Sequence, residues 1–193
     1  MAYYNNSELA TLGFKKVGSN VLVSKSAAIY NHHQIEIGDN TRIDDFCVIS
    51  GRVVLGRNIH IAVFCNVAGG EPGVFMHDFS GLAYGCQVFA QSDDYSGRTL
   101  TNPTVPDKFK RETKAKVVIG RHCILGTAVV VYPGVEIAEG TAVGSMSVVN
   151  RSTESWSIYM GIPARKVKNR SKQLLELEQL YLQEEQDNQD KPK

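Results

Sequence analysis

The stretch IGDNTRIDDFCVISGRVVLGRNIHIAVFCNV, residues 37–67, carries an aliphatic side chain at every sixth position. The aliphatic positions are Ile37, Ile43, Ile49, Leu55, Ile61 and Val67. A period of six fits neither an amphipathic helix nor a simple alternating strand. It suits a short strand and a tight corner, repeated along the chain. Three strands would complete one triangular coil, so residues eighteen apart, such as Ile37 and Leu55, should stack in a column.

The same period returns later in the chain. A second uninterrupted series consists of Ile119, Leu125, Val131, Ile137, Val143 and Val149. Between the two series, the step continues after one shift of register at Met76, Leu82 and Val88. The residue after many of these positions is small, as at Gly38, and we expect it to let the chain turn at the corner. The sequence therefore predicts an all-β fold, a parallel β-helix.

The four cysteines occupy a second inward position of the same repeat. Each lies four residues after an aliphatic position, and they are Cys47, Cys65, Cys86 and Cys123. Their spacing is neither Cys-x-x-Cys nor any other spacing typical of a zinc site. We therefore expect four small, buried side chains without a catalytic or metal-binding role.

Two interruptions break the repeat, and functional residues commonly lie on such loops of a regular scaffold. The first is a short glycine-rich excursion at residues 69–73. The second is long, because the pattern stops at Ser92 and resumes near Val117, with a polar stretch that contains prolines in between. A loop of this length is typical of an active site or a subunit contact. We expect residues 92–116 to project from one corner.

The rest of the chain predicts few further elements. Residues 1–20 form an N-terminal segment before the β-helix of residues 21–170. The leucine-rich residues 171–187 predict an amphipathic helix that closes the open end of the solenoid or packs on a neighbouring subunit. Residues 188–193 have the composition of a disordered tail.

Charge and hydropathy exclude several classes of protein. The 193 residues carry a formal net charge of +1, so no strong field favours nucleic acid or an anionic membrane as a partner. The first twenty residues lack the basic and apolar regions of a signal peptide, and no apolar run reaches a membrane-spanning length. We therefore expect a cytoplasmic protein that does not insert into a membrane.

Two segments near the end of the repeat resemble a known family. The segment IYMGIPARKVK, residues 158–168, resembles the Gly-Asn-Pro-Ala-Lys/Arg ending of galactoside, maltose and serine acetyltransferases, with Ile162 in place of Asn. Residues 118–135 are similar to the penultimate coil of that family, and residues 92–106 resemble acyltransferases of O-antigen gene clusters. The chain is thus identified as a member of the hexapeptide-repeat acyltransferase superfamily over about residues 20–170.

The resemblance implies a left-handed β-helix and a homotrimer with active sites between the coils of adjacent subunits. It also implies an acetyl-CoA-dependent acetyltransferase of surface-polysaccharide (lipopolysaccharide) biosynthesis, which acts on a sugar hydroxyl or on an amino sugar, with the acceptor expected to be nucleotide-linked. By position, CoA would contact Gly126, Thr127, Ser145, Met146, Asn150, Arg151, Arg165 and Lys168. The last two lie in the densest positive charge of the chain, which suits a polyanionic ligand.

The general base departs from the family pattern. Transfer to a hydroxyl needs a base, usually His, and galactoside-type enzymes carry it five residues after the position of Val88. Asp93 stands there in this chain. An aspartate with an ordinary pKa is a weaker base than imidazole, so Asp93 either has a tuned pKa or only binds the acceptor. A neutral sugar amine attacks with its own lone pair and therefore tolerates a weaker base than a hydroxyl does. With Asp93 at this position, an amino sugar stays possible as the acceptor, beside a sugar hydroxyl.

His60 is the first alternative for the base or for a contact to the acetyl group. It resembles a His-Ile-Ser/Ala element of nucleotide-aminosugar N-acetyltransferases, although Gly51 replaces the partner His of those enzymes. The alternative interpretation is that His60 lies at a corner and is hydrogen-bonded to the backbone. His122 falls at an outward position of the coil. We expect the acceptor to contact Asn66, His77, Asp94 and Tyr95.

A second class of function is a non-catalytic or zinc-dependent β-helix trimer. A γ-carbonic-anhydrase-like protein needs three histidines around zinc, and the usual His-x4-His pair is missing from the sequence. We therefore expect no metal. A purely structural protein would not require the Gly-Ile-Pro-Ala-Arg ending or the positive charge around it.

Overall fold

The chain folds into very short strands, because most hexapeptides supply only a few extended residues before the next corner. The computed structural model describes residues 2–189. In chain order, the strands are β1 (Lys16–Val17), β2 (Leu22–Val23), β3 (Ala28–Ile29), β4 (Ile35–Ile37), β5 (Arg42–Ile43), β6 (Val48–Leu55), β7 (His60–Ile61), β8 (Asn66–Met76), β9 (Gly81–Leu82), β10 (Gln87–Phe89), β11 (Gln91–Ser92), β12 (Thr113–Lys114), β13 (Val117–Ile119), β14 (Ile124–Leu125), β15 (Val130–Val131), β16 (Glu136–Ile137), β17 (Ala142–Val143), β18 (Val148–Val149), β19 (Ser157–Gly161) and β20 (Ala164–Asn169). The two α-helices are α1 (Asn6–Thr11) and α2 (Leu174–Gln189).

The strands stack in parallel into the three faces of a solenoid. The first face contains β2, β5, β7, β9, β14, β17 and β19. The second contains β3, β10, β15, β18 and the first halves of β6 and β8. The third contains β1, β4, β13, β16 and the second halves of β6 and β8. Ile37 pairs with Leu55, as the period of eighteen predicts, and the parallel β-helix is confirmed.

The aliphatic positions of the repeat form the interior. Every member of the two predicted series is buried, with exposures of 0–3%. The cysteines are buried free thiols, and Sγ of Cys47 lies 3.0 Å from the carbonyl oxygen of Ala62 in the next coil. Burial raises the pKa of the Cys123 thiol to about 12. The prediction that the cysteines pack the interior is confirmed.

The small residue after each aliphatic position has a different role from the predicted one. A Cβ on Gly38 would lie 2.5 Å from the carbonyl oxygen of Gly56, and a Cβ on Gly56 would lie 2.3 Å from Oδ1 of Asp78. Neither glycine has a positive φ, whereas Asn40 and Asn58 have φ values of 54° and 56°. Successive coils therefore require the small residue because they approach closely. The turn is made by the residue two positions later, in the left-handed region, which is Asn20, Asn40 or Asn58 in the early coils and Phe79 or His122 in later ones.

Both interruptions lie on the corner between the second and third faces, one coil apart. The short excursion is part of β8, and a Cβ on Gly69 would lie 1.9 Å from the carbonyl oxygen of Arg52. The long loop leaves after β10 and returns at β13. Its base is closed by the antiparallel pair β11–β12, in which Gln91 faces Lys114. A bridge between Leu100 and Lys110 holds its middle.

The predicted C-terminal helix lies along the side of the solenoid and does not close its end. Glu178 contacts Arg121 and His122, while the hydroxyl of Tyr181 accepts a hydrogen bond from Asn58 at 3.1 Å. Helix α2 begins at residue 174 and ends at 189, so it includes the first two residues of the predicted tail. Residues 190–193 lie outside the described residues. Neither helix within residues 2–189 is long and apolar enough to cross a membrane.

The N-terminal segment contains two ordered elements. Helix α1 begins after Asn5, whose side chain accepts a hydrogen bond from the backbone N–H of Glu8 while the Glu8 carboxylate accepts one from the backbone N–H of Asn5. This reciprocal pair satisfies two N–H groups at the start of the helix. The first strand of the third face, β1, also lies in the segment that was predicted to precede the solenoid.

Candidate active site

His60 begins β7 on the first face, and a buried carboxylate holds its ring. Nε2 of His60 lies 2.8 Å from Oδ2 of Asp44. The Asp44 side chain is only 3% exposed, and its Oδ1 accepts hydrogen bonds from Nε of Arg42 at 2.6 Å and from the hydroxyl of Tyr3 at 3.1 Å. Arg42 and His60 face each other in the ladder between β5 and β7, which places their side chains beside Asp44.

Hydrogen bonds keep Asp44 ionised in spite of its burial. Burial by itself would raise the pKa of this carboxyl, but the bonds from Arg42, His60 and Tyr3 outweigh it and hold the pKa below its usual value. Since the carboxylate accepts the Nε2 proton, Nδ1 is the lone-pair nitrogen of the neutral ring. The ring is half exposed. In the Asp44–His60 dyad, Nδ1 is therefore the nitrogen that could accept a proton from a ligand.

The dyad borders an apolar groove between the first face and α2. The groove has a volume of about 680 Å³. Its lining includes His60, Ala62, Leu82, Tyr84, Ile124, Leu174, Leu177 and Tyr181. His122 also lines it, and its Nε2 lies 3.0 Å from Oε2 of Glu178. The outward position predicted for His122 is thus covered by α2, which leaves the residue 7% exposed.

The long loop borders a second cavity, which is polar. This loop cavity has a volume of about 550 Å³. Its lining includes Asp93, Asp94, Tyr95, Arg98, Arg111, Glu112, Tyr132 and Asn150. The structure therefore brings together the three neighbouring acceptor candidates of the loop. It also places Asn150 there, a residue that the family resemblance assigned to CoA.

The Asp94 carboxylate accepts hydrogen bonds from its own loop. Its carboxylate accepts hydrogen bonds from the backbone N–H of Ser96 at 2.8 Å, from the Ser96 hydroxyl at 2.8 Å and from the Thr99 hydroxyl at 3.1 Å. These bonds hold the pKa of Asp94 below its usual value, and the bond from the Ser96 N–H has the largest effect. Asp94 is therefore a structural acceptor within the loop.

Asp93 has free bonding capacity. Its Oδ1 accepts a hydrogen bond of 3.3 Å from the backbone N–H of Asn102. Its Oδ2 has no hydrogen-bond or ion-pair partner among residues 2–189. A carboxylate can accept several hydrogen bonds, so Asp93 can take N–H or O–H donors of a ligand in the loop cavity.

Four of the predicted CoA contacts lie at the corner between the first and second faces. Gly126 and Thr127 belong to one coil, and Ser145 and Met146 to the next. The backbone N–H of Met146 donates to the carbonyl oxygen of Thr127 at 2.8 Å. A Cβ on Gly126 would lie 2.7 Å from the backbone nitrogen of Ser145, so only glycine fits there. The structure brings these four residues together.

Of the positively charged side chains near the end of the repeat, some are bound to acceptors elsewhere in the solenoid and others form no ion pair. The guanidinium of Arg170 donates to the carbonyl oxygens of His122 and Gly140, and Lys166 pairs with Glu154 at 2.7 Å. The remaining three cations, all exposed, are Arg151, Arg165 and Lys168. Within residues 2–189, none of these three forms an ion pair. These three side chains can therefore bind an anion.

Two predicted acceptor contacts lie away from the loop cavity. Asn66 projects from the second face, where it pairs with Gln87 in the ladder. His77 lies at the corner between the third and first faces, and its carbonyl oxygen accepts the Ser80 hydroxyl at 2.7 Å. In the described part of the chain, no group of three His, Cys, Asp or Glu side chains is placed to hold a metal ion.

Three contributors to these sites were not predicted. Asp44 follows an interior aliphatic residue, so the repeat places it at a corner. Its contacts with Arg42 and His60 were not predicted, although these two residues lie eighteen apart and should therefore stack. Arg98 and Arg111 lie in a loop without periodicity, so no spacing signal connects them with Asp93. The groove and the loop cavity share no lining residue, and His60 and Asp93 therefore do not meet within one protomer.

Known proteins are similar to the chain over nearly its whole length. No family model matches the chain. The dTDP-4-amino-4,6-dideoxy-D-glucose acyltransferase of Escherichia coli is 39% identical over 184 residues, which cover 94% of this chain and 95% of that protein. AntD, an N-acyltransferase from Bacillus cereus solved in complex with dTDP and 3-hydroxybutyryl-CoA, is 44% identical with a TM-score of 0.94, over 95% of this chain and 98% of that one.

Two further structures agree with these. A variant of AntD in complex with dTDP-4-amino-4,6-dideoxyglucose and coenzyme A is 45% identical with a TM-score of 0.94, over 95% of this chain and 98% of that one. A maltose O-acetyltransferase from Clostridium difficile is 18% identical with a TM-score of 0.54, over 86% of this chain and 75% of that one. The second likeness shows a shared fold only.

Proposed function

Because the chain belongs to the hexapeptide-repeat acyltransferase family, we propose that it transfers an acyl group from acyl-CoA to the amino group of a dTDP-linked 4-amino-4,6-dideoxyglucose. The observation that carries this proposal is the similarity of 39–45% identity to proteins that act on or bind this compound, which extends over nearly the whole chain. The sequence is compatible with either a hydroxyl or an amine as the acceptor group. A carboxylate at the place of the usual histidine favours the amine.

Asp93 is the residue that we assign to the amine. A carboxylate with a free oxygen binds an ammonium group well, and the amine becomes a nucleophile once it has lost its proton. Attack on the thioester carbonyl would then form the C–N bond, and the C–S bond breaks as CoA leaves as a thiolate. The ammonium releases its first proton to solvent before attack; the adduct nitrogen then carries one additional proton, which Asp93 can accept although aspartate is a weak base and pass on to the CoA thiolate. Asp94 keeps the loop in the shape that presents Asp93.

His60 is the second candidate for the base, and the Asp44 dyad supports it. Since His60 and Asp93 line different cavities of one protomer, they can act on one acceptor only if neighbouring protomers supply them. A homotrimer with sites between adjacent coils, which the family resemblance implies, would allow this. Asn66 and His77 would then also contact the acceptor from the neighbouring protomer.

For the donor, we assign the pantetheine to the corner of Gly126, Thr127, Ser145 and Met146. The CoA phosphates would meet Arg151, Arg165 and Lys168, which have no ion-pair partner within residues 2–189. Bound acyl-CoA supplies the activated thioester. The acyl group that we propose is acetyl, and 3-hydroxybutyryl-CoA, which AntD binds, is the comparison donor. The product would enter the biosynthesis of a surface polysaccharide in the cytoplasm.

The experiment measures CoA release by the purified protein with acetyl-CoA or 3-hydroxybutyryl-CoA and a panel of acceptors. The panel contains dTDP-4-amino-4,6-dideoxyglucose, its 4-hydroxy counterpart and the free amino sugar. We expect turnover with the nucleotide-linked amine. Turnover only with the hydroxyl compound, or with none of the acceptors, would overturn the proposed function.

Variants separate the two candidate bases. Asp93→Asn should lower kcat by about 10²-fold or more, the typical contribution of a positioned acid or base. Asp107→Asn is the matched control, because Asp107 is an exposed aspartate of the same loop outside the cavity. If His60 acts at the same site from a neighbouring protomer, mixed oligomers of His60→Ala and Asp93→Asn should regain activity. Full activity of both single variants would refute the assignment.

A further inference from the structure

The loop cavity is lined by two arginines and three acidic residues, and within residues 2–189 none of these acidic residues pairs with either arginine. Glu112 lies 3.2 Å from both Lys110 and Lys114, so its charge is balanced by lysines. The Asp94 carboxylate is satisfied by Ser96 and Thr99. The cavity then retains one carboxylate with a free oxygen, that of Asp93, and the guanidinium groups of Arg98 and Arg111.

Both arginines are available to a ligand. Their side chains are exposed, line the loop cavity and make no hydrogen bond, ion pair or ring contact with any other described residue. They come from opposite arms of the loop, whose base is closed by β11 and β12. Two guanidinium groups that have no partner among the described residues therefore line the same cavity as Asp93.

This combination of charges matches a nucleotide-linked amino sugar. Such a molecule carries an ammonium group on one side of the sugar ring and an anionic diphosphate on the other. Arginine binds phosphate oxygens with two parallel N–H donors, which gives both strength and orientation. We propose that Arg98 and Arg111 bind the diphosphate of the acceptor while Asp93 holds its amine, an inference that rests on the proposed function.

A different cleft also carries cations, but it fits this ligand less well. It has a volume of about 500 Å³, and its lining includes Lys15, Arg52 and Glu71. Lys15 is paired with Glu36 at 2.6 Å, and the guanidinium of Arg52 lies over the ring of Phe75 at 5.2 Å. Asp93 is not part of this cleft. Arg52 is therefore a matched control, an exposed arginine in another cleft.

The test combines kinetics with direct binding of dTDP. In Arg98→Ala/Arg111→Ala, KM for the nucleotide sugar should rise by about 10- to 100-fold, as expected when charged hydrogen bonds are lost. The value of kcat at saturation and KM for acyl-CoA should stay near those of the wild type. In calorimetry, the double variant should lose affinity for dTDP by a similar factor, while its weak affinity for thymidine should not change. Arg52→Ala should behave as the wild type in every measurement.

The outcomes distinguish this inference from the proposed function. If the wild type turns over the nucleotide sugar and the double variant has an unchanged KM, the diphosphate assignment is overturned and the function stands. A KM effect of Arg52→Ala alone would place the diphosphate in the other cleft and would also overturn it. If the wild type shows no turnover but binds dTDP, and the double variant does not, the diphosphate assignment stands and the proposed function fails. Wild-type protein that does not bind dTDP would overturn the assignment directly.

Discussion

Asp44 is a buried carboxylate that orders three other side chains, so Asp44→Asn should destabilise the fold and release His60. The asparagine retains the shape but removes the charge that Arg42, His60 and Tyr3 contact. Hydrogen bonds to a charged group contribute about 1.5–3 kcal/mol each. The side chains of Arg42 and His60 are 44% and 51% exposed, so water can replace the carboxylate for both. We therefore expect a total loss of about 2 kcal/mol, well below the sum of the separate bonds.

The measurement is thermal unfolding as a function of pH. For a chain of this size, a loss of about 2 kcal/mol lowers Tm by about 4–8 °C. The folded-state pKa of Asp44 is depressed, so its contribution is present above the unfolded pKa and is lost as pH falls through the folded pKa. The difference in Tm between wild type and Asp44→Asn should thus be constant near neutral pH and shrink below about pH 4.

A control and a double-mutant cycle make this prediction specific. Asp107→Asn removes an exposed carboxylate and should change stability by less than about 0.5 kcal/mol at any pH. His60→Ala combined with Asp44→Asn should show a coupling energy of about 0.5–1.5 kcal/mol, because the two side chains are bonded directly. A Tm difference that is absent at pH 7, or that persists unchanged at low pH, would refute the reasoning.

Three further predictions concern the scaffold. The four cysteines should not react with a thiol reagent until the protein unfolds, because all four are only 0–1% exposed, and rapid labelling of the native protein would contradict this. Gly69→Ala should cost more than about 3 kcal/mol, since its Cβ would meet the carbonyl oxygen of Arg52 at 1.9 Å, whereas Gly13→Ala has open space and should cost only about 1 kcal/mol, both measured by chemical denaturation. Arg170→Ala removes hydrogen bonds of 2.7 and 3.0 Å to the carbonyl oxygens of His122 and Gly140, so amides of α2 should exchange faster in deuterium exchange while those of the coils do not. Equal exchange in wild type and variant would show that α2 is held otherwise.

The solenoid could be predicted because its interior accepts only a narrow set of side chains. A position that stacks every eighteen residues in a closed column, such as Ile37 on Leu55, must be aliphatic in each coil, and the pattern records this constraint directly. The position of α2 could not be predicted in the same way. Its Leu177 and Leu180 stay 64% and 59% exposed, so apolar periodicity does not decide where the helix lies. Polar contacts of Glu178, Tyr181 and Glu185 hold it against the solenoid, and pairings of that kind leave no period in a sequence.

The candidate site was predicted only as far as the interruption of the repeat reveals it. The long loop identified the region and the step of five residues after Val88 singled out Asp93, but nothing in the sequence showed that Asp94 has a structural role separate from acceptor binding. The separation arises from local geometry, because Ser96 and Thr99 turn toward Asp94 and leave one oxygen of Asp93 free. The partner of His60 was missed for a related reason. Asp44 becomes a buried acceptor only after β5 and β7 have stacked.

The loop leaves the interior of the solenoid undisturbed, and this separates function from folding. Val117, the first residue after the loop, pairs with Val74, and Ile119 pairs with Met76, so the column continues across the insertion. The antiparallel pair of β11 and β12 then closes the loop outside the column. Side chains such as Arg98 and Arg111 consequently contribute to the ligand site without contributing to the core. Their replacement should therefore change the affinity for dTDP and leave Tm near that of the wild type, whereas a change at Asp44 affects both the fold and the orientation of His60.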